Sequence, residues 1–263
     1  MTPNKPKLGQ NFLVDADARQ RIVDALGPLS TSTVLEIGPG RGALTNLLVP
    51  RAHRLIAVEL DRVLAPRLAE TWKHANHVEI HAGDILEMEL NSLSSAEPLV
   101  VVGNLPYYIT SDILLHLFAH ASAIRRAVLM VQEEVADRLA AQSGTSAYGV
   151  LSATAQMHAR IEKLFVLPPG AFAPAPNVNS AVVRLEMQSR FEALRVERIA
   201  FMRFLQLCFG QKRKTLANNL KREFPQTSVQ AAIEEIGLSA SVRAEAVPLQ
   251  ETAQLFRRLQ GLA

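Results

Sequence analysis

The tetrapeptide Asn104-Leu105-Pro106-Tyr107 follows a short apolar run and carries groups suited to chemistry on an aromatic amine. The lone pair of such an amine is conjugated into its ring, so the nitrogen attacks poorly until two acceptors on its N–H bonds localise that pair. The side-chain carbonyl of Asn104 and the backbone carbonyl of Leu105 are expected to supply those acceptors, and Pro106 fixes the turn. Tyr107 is expected to stack on the base. An ordinary turn after a strand is the alternative interpretation.

Three glycines follow another apolar run at a spacing that lets the backbone approach a ligand closely. Gly38, Gly40 and Gly42 form a G-x-G-x-G pattern, not the G-x-G-x-x-G of turns that hold the pyrophosphate of a dinucleotide. Glu59 and Asp84 follow the next two apolar runs, where carboxylates can accept ribose hydroxyls and an adenine amine. The pattern predicts an adenosyl ligand and favours S-adenosylmethionine over a nicotinamide cofactor, which remains a remote alternative.

The elements that must position these groups are short apolar runs separated by amphipathic stretches. Strands joined by helical crossovers form a parallel sheet with helices on both faces, so the predicted fold class is α/β. The predicted strands are Thr33–Ile37, Leu55–Val58, Val78–His81, Leu99–Gly103 and Ala127–Val131, and the predicted helices are Ala43–Val49, Arg62–Trp72, Ser111–Ala119 and Glu133–Ala141.

The pattern changes after Gly144. Two strand-like runs, Lys163–Val166 and Ala181–Leu185, are linked by a Pro-rich loop too short for a helix, so they are expected to pair antiparallel at one edge of the sheet. Everything after Phe191 predicts helices, over Val196–Cys208, Lys212–Lys221, Ser228–Ile236 and Leu249–Leu259. We therefore expect a domain over residues 1–189 that binds the cofactor and carries the catalytic groups, and a small helical domain over residues 190–263.

The charge of the chain is uneven although its formal net value is only +3. Between Arg190 and Arg222 there are nine Lys and Arg residues against two acidic ones. A basic segment on a nearly neutral body favours a polyanionic partner, and a solvated helix face is the alternative. If the partner is a nucleic acid, Lys212, Arg213 and Lys214 are the residues expected to hold its phosphates.

Cysteine content and hydropathy narrow the class of protein. Cys208 is the single cysteine of the 263 residues, so an internal disulfide and a Cys-built metal site are excluded. No apolar run is long enough to span a bilayer and no hydrophobic segment follows the polar N-terminus. We therefore expect a cytoplasmic protein that does not bind a membrane. The histidines at 74, 77, 81, 116 and 120 lack a convincing ligand set, so no metal is expected.

Six ordered motifs run along the chain: Lys7–Leu13, Leu35–Thr45, Asn104–Ile109, Val131–Ala136, Phe172–Leu185 and Gln211–Leu220. Together they resemble the rRNA adenine N6,N6-dimethyltransferases, most closely the KsgA/RsmA type that modifies the small ribosomal subunit. The last motif extends the resemblance into the helical region. The Lys and Leu at positions 7 and 8 depart from the Arg and aromatic residue common in that type, which affects only the N-terminal contacts.

The resemblance implies a Rossmann-like methyltransferase domain, an S-adenosylmethionine site and an RNA target. It implies that Tyr107 and Phe172 hold the target adenine between them. Two adjacent adenines in the hairpin loop near the 3′ end of 16S rRNA would each be dimethylated, within an assembly intermediate of the small subunit, by a monomer. The residues implied to line the cofactor site are Asn11, Leu13, Gly38, Gly40, Glu59, Asp84 and Asn104.

Two related functions remain as alternatives. An Erm-type enzyme that methylates large-subunit rRNA shares the cofactor motifs, and only the match over Gln211–Leu220 favours the small-subunit type. A non-catalytic RNA-binding relative is disfavoured because the glycine turn, both carboxylates and Asn104 are intact.

Overall fold

The computed structural model describes residues 11–94 and 97–261, so residues 7–10 of the predicted N-terminal motif lie outside the described part of the chain. The strands are β1 (Phe12–Leu13), β2 (Thr33–Ile37), β3 (Arg54–Glu59), β4 (Val78–Ala82), β5 (Leu99–Asn104), β6 (Ile124–Gln132), β7 (Ala159–Leu167), β8 (Phe172–Ala173) and β9 (Ser180–Met187). The helices are α1 (Ala16–Ala25), α2 (Thr45–Leu48), α3 (Leu64–Trp72), α4 (Thr110–Ala119), α5 (Glu133–Ala140), α6 (Val150–His158), α7 (Arg198–Cys208), α8 (Leu216–Leu220), α9 (Gln226–Glu235) and α10 (Leu249–Leu259).

Seven strands form one mixed sheet in the order β4-β3-β2-β5-β6-β9-β7. The first five strands in this order run parallel to one another, and β9 is antiparallel to β6. β2 is buried throughout and β5 at all but its last residue, which explains why their residues are mainly apolar on both faces, with Glu36 of β2 as a buried exception. The predicted α/β class, with an antiparallel strand near one edge, is confirmed.

The parallel register brings the ends of three central strands together. Ile37 at the end of β2 pairs with Val58 of β3 on one side and with Gly103 of β5 on the other. The residues that follow these positions therefore meet at the carboxyl edge of the sheet. Glu59 ends β3 and Asn104 ends β5, so both lie at this edge.

A second, two-stranded sheet joins two distant parts of the sequence. β1 pairs antiparallel with β8, with Phe12 opposite Ala173 and Leu13 opposite Phe172. The backbone N–H of Val14 extends the ladder by donating to the carbonyl of Ala171 at 2.8 Å.

The chain divides into two compact units, and the second is helical. The first runs to Ala136 and includes Ile161–Met187, and the second comprises Asp137–Arg160 and Gln188–Ala263. In this division residues 137–160, which precede the predicted boundary near Ser189, pack with the helices that follow it. The core of the second unit contains a cluster of three phenylalanine rings, at positions 201, 204 and 256, with centroids 5.3–6.3 Å apart. In the described part of the chain, no helix combines the length and the hydropathy needed to cross a membrane.

The helix predicted over Lys212–Lys221 is wrong in its first half. α8 begins only at Leu216, because Thr215 has an extended backbone and its hydroxyl accepts the N–H of Asn218 at 3.3 Å as the N-cap. Lys212, Arg213 and Lys214 therefore lie in a turn. α1 and α6 were not predicted at all.

The contact between β2 and β5 requires glycine at position 103. A Cβ on Gly103 would lie 2.8 Å from the carbonyl oxygen of Ile37. We expect Gly103→Ala to lower the free energy of unfolding by about 1–3 kcal/mol, because the added methyl meets backbone that cannot rotate away. Urea denaturation measures this. Gly170→Ala is the control, since a Cβ there meets nothing within 4 Å. Equal stability of the two variants would contradict the steric argument.

Candidate active site

A cavity of about 260 Å³ lies at the carboxyl edge of the parallel sheet, within the first unit. Its walls are the glycine turn after β2, the ends of β3 and β5, the loop after β4 and the segment around β1. Of the residues predicted to bind the cofactor or act on the base, those that line it are Asn11, Leu13, Gly38, Gly40, Glu59, Asp84, Asn104, Leu105, Pro106 and Tyr107.

The glycine turn has the backbone that its spacing predicts. Gly38, Gly40 and Gly42 all have positive φ, at 66°, 58° and 80°, a region that side chains with a Cβ rarely adopt. The N–H of Gly38 donates to the carbonyl of Val58 at 2.9 Å, which ties the turn to β3.

The Glu59 carboxylate fixes the middle of this turn. One oxygen accepts the N–H of Gly40 at 2.8 Å and the other accepts the N–H of Asp61 at 2.9 Å, and the residue is only 3% exposed. In turns that bind a pyrophosphate, backbone N–H groups of this kind point at the phosphate. Here the N–H of Gly40 is already bound to a carboxylate, which would also repel a phosphate. The turn therefore suits a ligand without phosphate and disfavours a nicotinamide dinucleotide.

Asp84 adds a second carboxylate to the cavity wall. One oxygen accepts the N–H of Leu86 at 2.9 Å and caps the short helix Ile85–Glu87. Carboxylates accept hydrogen bonds and attract cations, so this wall fits hydroxyl, amine and sulfonium groups.

Phe12 covers the glycine turn, a role that the sequence did not predict. Its ring lies so close that a Cβ on Gly40 would be 3.0 Å from it. The guanidinium of Arg41 lies over the ring of Phe12, 4.5 Å from the ring centroid. A glycine at position 40 thus serves the packing of Phe12 as well as the turn.

The side chain of Asn104 has a fixed orientation. Its Nδ2 donates to the backbone carbonyl of Asn11 at 2.7 Å. A carbonyl oxygen can only accept, so the atom facing Asn11 must be the nitrogen and the Asn104 Oδ1 remains as the acceptor. This is the atom expected to receive the N–H of an aromatic amine.

The rest of the tetrapeptide is anchored on both sides. The N–H of Leu105 donates to the carbonyl of Met130 at 3.0 Å, and the Leu105 side chain is buried. The hydroxyls of Tyr107 and Ser180 share a hydrogen bond of 2.6 Å. Burial raises the pKa of the Tyr107 hydroxyl above its ordinary value, so this group stays protonated and does not serve as a general base near neutral pH.

Phe172 is the one predicted base-binding residue that the structure does not bring to the cavity wall. It is 3% exposed and packs in the apolar cluster that contains Leu13, Leu167 and Val182. Its neighbour Ala173 lines the cavity in its place. Stacking of Phe172 on a base stays a prediction, and it requires part of the ring to be uncovered.

The basic turn of the second unit consists of Lys212, Arg213 and Lys214, all of them exposed. The Lys212 ammonium donates to the carbonyl of Ser146 at 3.3 Å. Buried Asn219 holds the start of the turn, because its Nδ2 donates to the carbonyls of Cys208 at 2.7 Å and Gln211 at 3.3 Å.

A family model described as ribosomal RNA adenine dimethylase matches residues 1–261. The chain belongs to this family. In this member of the family, the glycine turn, the two carboxylates and the tetrapeptide at the end of β5 line one cavity.

Individual relatives agree with the family assignment. The ribosomal RNA small subunit methyltransferase A of Acidobacterium capsulatum is 54% identical over 259 residues, covering 98% of this chain and 92% of that protein. A dimethyladenosine transferase from Plasmodium falciparum shares the fold, with a TM-score of 0.81 at 24% identity over 93% of this chain and 95% of that one. The structure of the 23S rRNA methyltransferase ErmE has a TM-score of 0.74 at 28% identity, covering 95% of this chain and 100% of that one.

The other chemically interesting side chains of this dimethylase lie in packed positions. The rings of His116 and His120 lie with centroids 4.5 Å apart and are tilted by 54°, and the His120 Nε2 lies 3.0 Å from the Glu89 Oε1. Cys208 is buried, and burial raises the pKa of its thiol, so it is unreactive. Within residues 11–94 and 97–261 there is no group of three or more His, Cys, Asp or Glu residues placed to hold a metal ion.

Glu36 is a buried acid in the sheet directly before the glycine turn. Its carboxylate accepts the Thr45 hydroxyl at 2.7 Å, which ties β2 to the first residue of α2. Burial raises the pKa of Glu36 from 4.5 to about 7, with a smaller contribution from the neighbouring charge of Glu59. The acid form is therefore favoured by folding.

Glu36 gives the stability of the protein a pH dependence of known sign. A folded-state pKa above the unfolded value means that the stabilisation is complete below pH 4.5 and is lost as pH rises through about 7. We expect Glu36→Gln, which stays neutral and keeps a carbonyl acceptor, to match the wild type at about pH 4 and to exceed it at about pH 8.5 by on the order of 3 kcal/mol. Urea midpoints at the two pH values measure this, and parallel curves would refute it.

Proposed function

We propose that this protein transfers methyl groups from S-adenosylmethionine to N6 of adenine in small-subunit ribosomal RNA. The observation that carries the proposal is the fixed amide of Asn104, whose Oδ1 is left as an acceptor beside the glycine turn. An acceptor at this place is what an aromatic amine needs and what hydride transfer to a nicotinamide does not need.

The residues of the cavity fit S-adenosylmethionine, which supplies an electrophilic methyl group on a sulfonium when it is bound. Glycine at positions 38 and 40 lets the backbone approach the ligand closely. The carboxylate of Glu59 suits the ribose hydroxyls, and that of Asp84 suits the adenine amine. Phe12 and Leu13 close the cavity from the side of β1. The negative charge of the two carboxylates attracts a cationic donor.

The tetrapeptide prepares the target nitrogen for attack. The Asn104 Oδ1 and the Leu105 carbonyl accept its N–H bonds, so its lone pair localises toward the methyl carbon while Tyr107 supports the base. As the N–C bond forms, the electrons of the C–S bond pass to sulfur. The alkylated nitrogen is then acidic and loses its proton to water, so no strong general base is needed.

The substrate follows from the family and the relatives. Methylation of N6 requires an unstacked adenine, which favours a single-stranded loop of RNA. The 54% identity with a small-subunit methyltransferase supports the small-subunit target. We propose, as the family resemblance implies, that two adjacent adenines near the 3′ end of 16S rRNA are each dimethylated by a cytoplasmic monomer acting on an assembly intermediate.

The target subunit and the role of Asn104 are tested in one assay. With labelled S-adenosylmethionine and unmethylated ribosomal subunits, we expect dimethyladenosine in small-subunit rRNA alone, detected by nucleoside analysis. Asn104→Ala should lower kcat by about 10²-fold or more, because the acceptor and its orientation are both lost.

Asn91→Ala is the matched control, since Asn91 is exposed, lies outside the cavity lining and directs its side-chain amide to nearby Glu89. It should retain full activity. Label in the large subunit would move the function to the type represented by ErmE, and binding of the methyl donor without transfer would leave a non-catalytic RNA-binding protein.

The basic turn is tested by the salt dependence of binding. Replacing Lys212, Arg213 and Lys214 with Ala should weaken RNA binding and reduce the slope of log K against log salt by about 2, since each lost phosphate contact removes roughly 0.7–0.9. Filter binding over a range of KCl measures the slope. Exposed Arg67 on α3 supplies the control variant Arg67→Ala, and an unchanged slope in the triple variant would show that the turn does not hold RNA.

A further inference from the structure

Tyr108 exposes a large aromatic side chain beside the proposed target site. It is 60% exposed, and it is the one aromatic residue among the exposed large apolar side chains of the described chain. A single exposed apolar side chain needs no explanation on a protein surface. Tyr108, however, also lines the cavity that contains Asn104 and Tyr107.

The backbone that carries Tyr108 is held from both sides. It is the middle residue of a short 3₁₀ turn, Tyr107–Ile109. The N–H of Ile109 and the hydroxyl of Thr110 both donate to the carbonyl of Pro106, at 3.3 and 3.0 Å. Thr110 itself is buried. The exposed ring therefore stands on a rigid support, which suits a binding surface because little order must be imposed when a partner arrives.

Tyr107 and Tyr108 cannot serve the same base. Successive residues of a 3₁₀ turn point about 120° apart. The ring of Tyr107 is directed so that its hydroxyl reaches Ser180 at 2.6 Å, whereas Tyr108 is turned to solvent. A partner of Tyr108 must therefore be a group next to the one that Tyr107 supports.

We propose that Tyr108 stacks on the nucleobase adjacent to the adenine undergoing methylation. The inference rests on the proposed function and extends it by assigning the neighbouring base a site. Stacking on an aromatic ring tolerates any base, so the contact holds the strand in register without reading its sequence. Because the strand has a direction, the platform takes the neighbour on the same side of the target each time, also where two adjacent adenines are modified in turn.

The first test separates stacking from a role in the cofactor cavity. With unmethylated small subunits and labelled S-adenosylmethionine, Tyr108→Ala should raise KM for the subunit about tenfold, leaving kcat and the Kd of S-adenosylmethionine within about twofold. Tyr108→Phe keeps the ring and should behave as the wild type. Leu115→Ala is the control, because Leu115 is 52% exposed on α4 and lies outside the cavity lining.

Three outcomes overturn the assignment: a Tyr108→Ala enzyme indistinguishable from Leu115→Ala, a Tyr108→Phe enzyme as impaired as Tyr108→Ala, or a loss confined to the Kd of S-adenosylmethionine. A wild type that labels neither subunit refutes the proposed function and this inference together, whereas an active wild type with an unaffected Tyr108→Ala refutes the inference alone.

The second test identifies the base. Small subunits are reconstituted with rRNA that has an abasic nucleotide beside the target adenine. On this abasic substrate the KM of the wild type should rise by about the same factor that Tyr108→Ala causes on intact rRNA. The KM of the variant should be the same on the abasic and the intact substrate. If the KM of the variant on the abasic substrate rises by the product of the two separate factors, Tyr108 contacts another part of the RNA.

Discussion

The parallel register of three central strands is the constraint on which the site depends. Because Ile37 pairs with both Val58 and Gly103, the residues after these positions meet at one edge of the sheet, whatever the conformation of the loops. The register holds only if β2 and β5 approach closely, and the missing side chain at Gly103 allows this. Packing inside the sheet and chemistry at its edge are therefore consequences of the same strand pairing.

At that edge, the carboxylate of Glu59 and the amide of Asn104 are held by backbone groups. Glu59 accepts N–H groups of Gly40 and Asp61, and Asn104 donates to the carbonyl of Asn11. Backbone partners do not change their protonation state near neutral pH and do not rotate freely. The arrangement is thus set before any ligand binds, which reduces the reorganisation that accompanies the reaction.

The sequence predicted what depends on local patterns and missed what depends on distant pairing. The central strands, the glycine turn and the tetrapeptide were correctly located because apolar runs and glycine spacing are local signals. α1 was missed although Asp15 caps it, since its charged sequence lacks a clear apolar face. The contact between Asn104 and Asn11 spans 93 residues, and the packing of Phe12 on Gly40 likewise arises only in the fold. No periodicity encodes such contacts.

The two-stranded sheet has a mechanical consequence. β1 contributes Phe12 and Leu13 to the cavity wall and β8 contributes Ala173, with Leu13 paired to Phe172. A displacement of either strand must carry the other with it or break the ladder between them. The two strands therefore move as one part of the cavity wall, and a ligand that displaces one of them displaces the other as well.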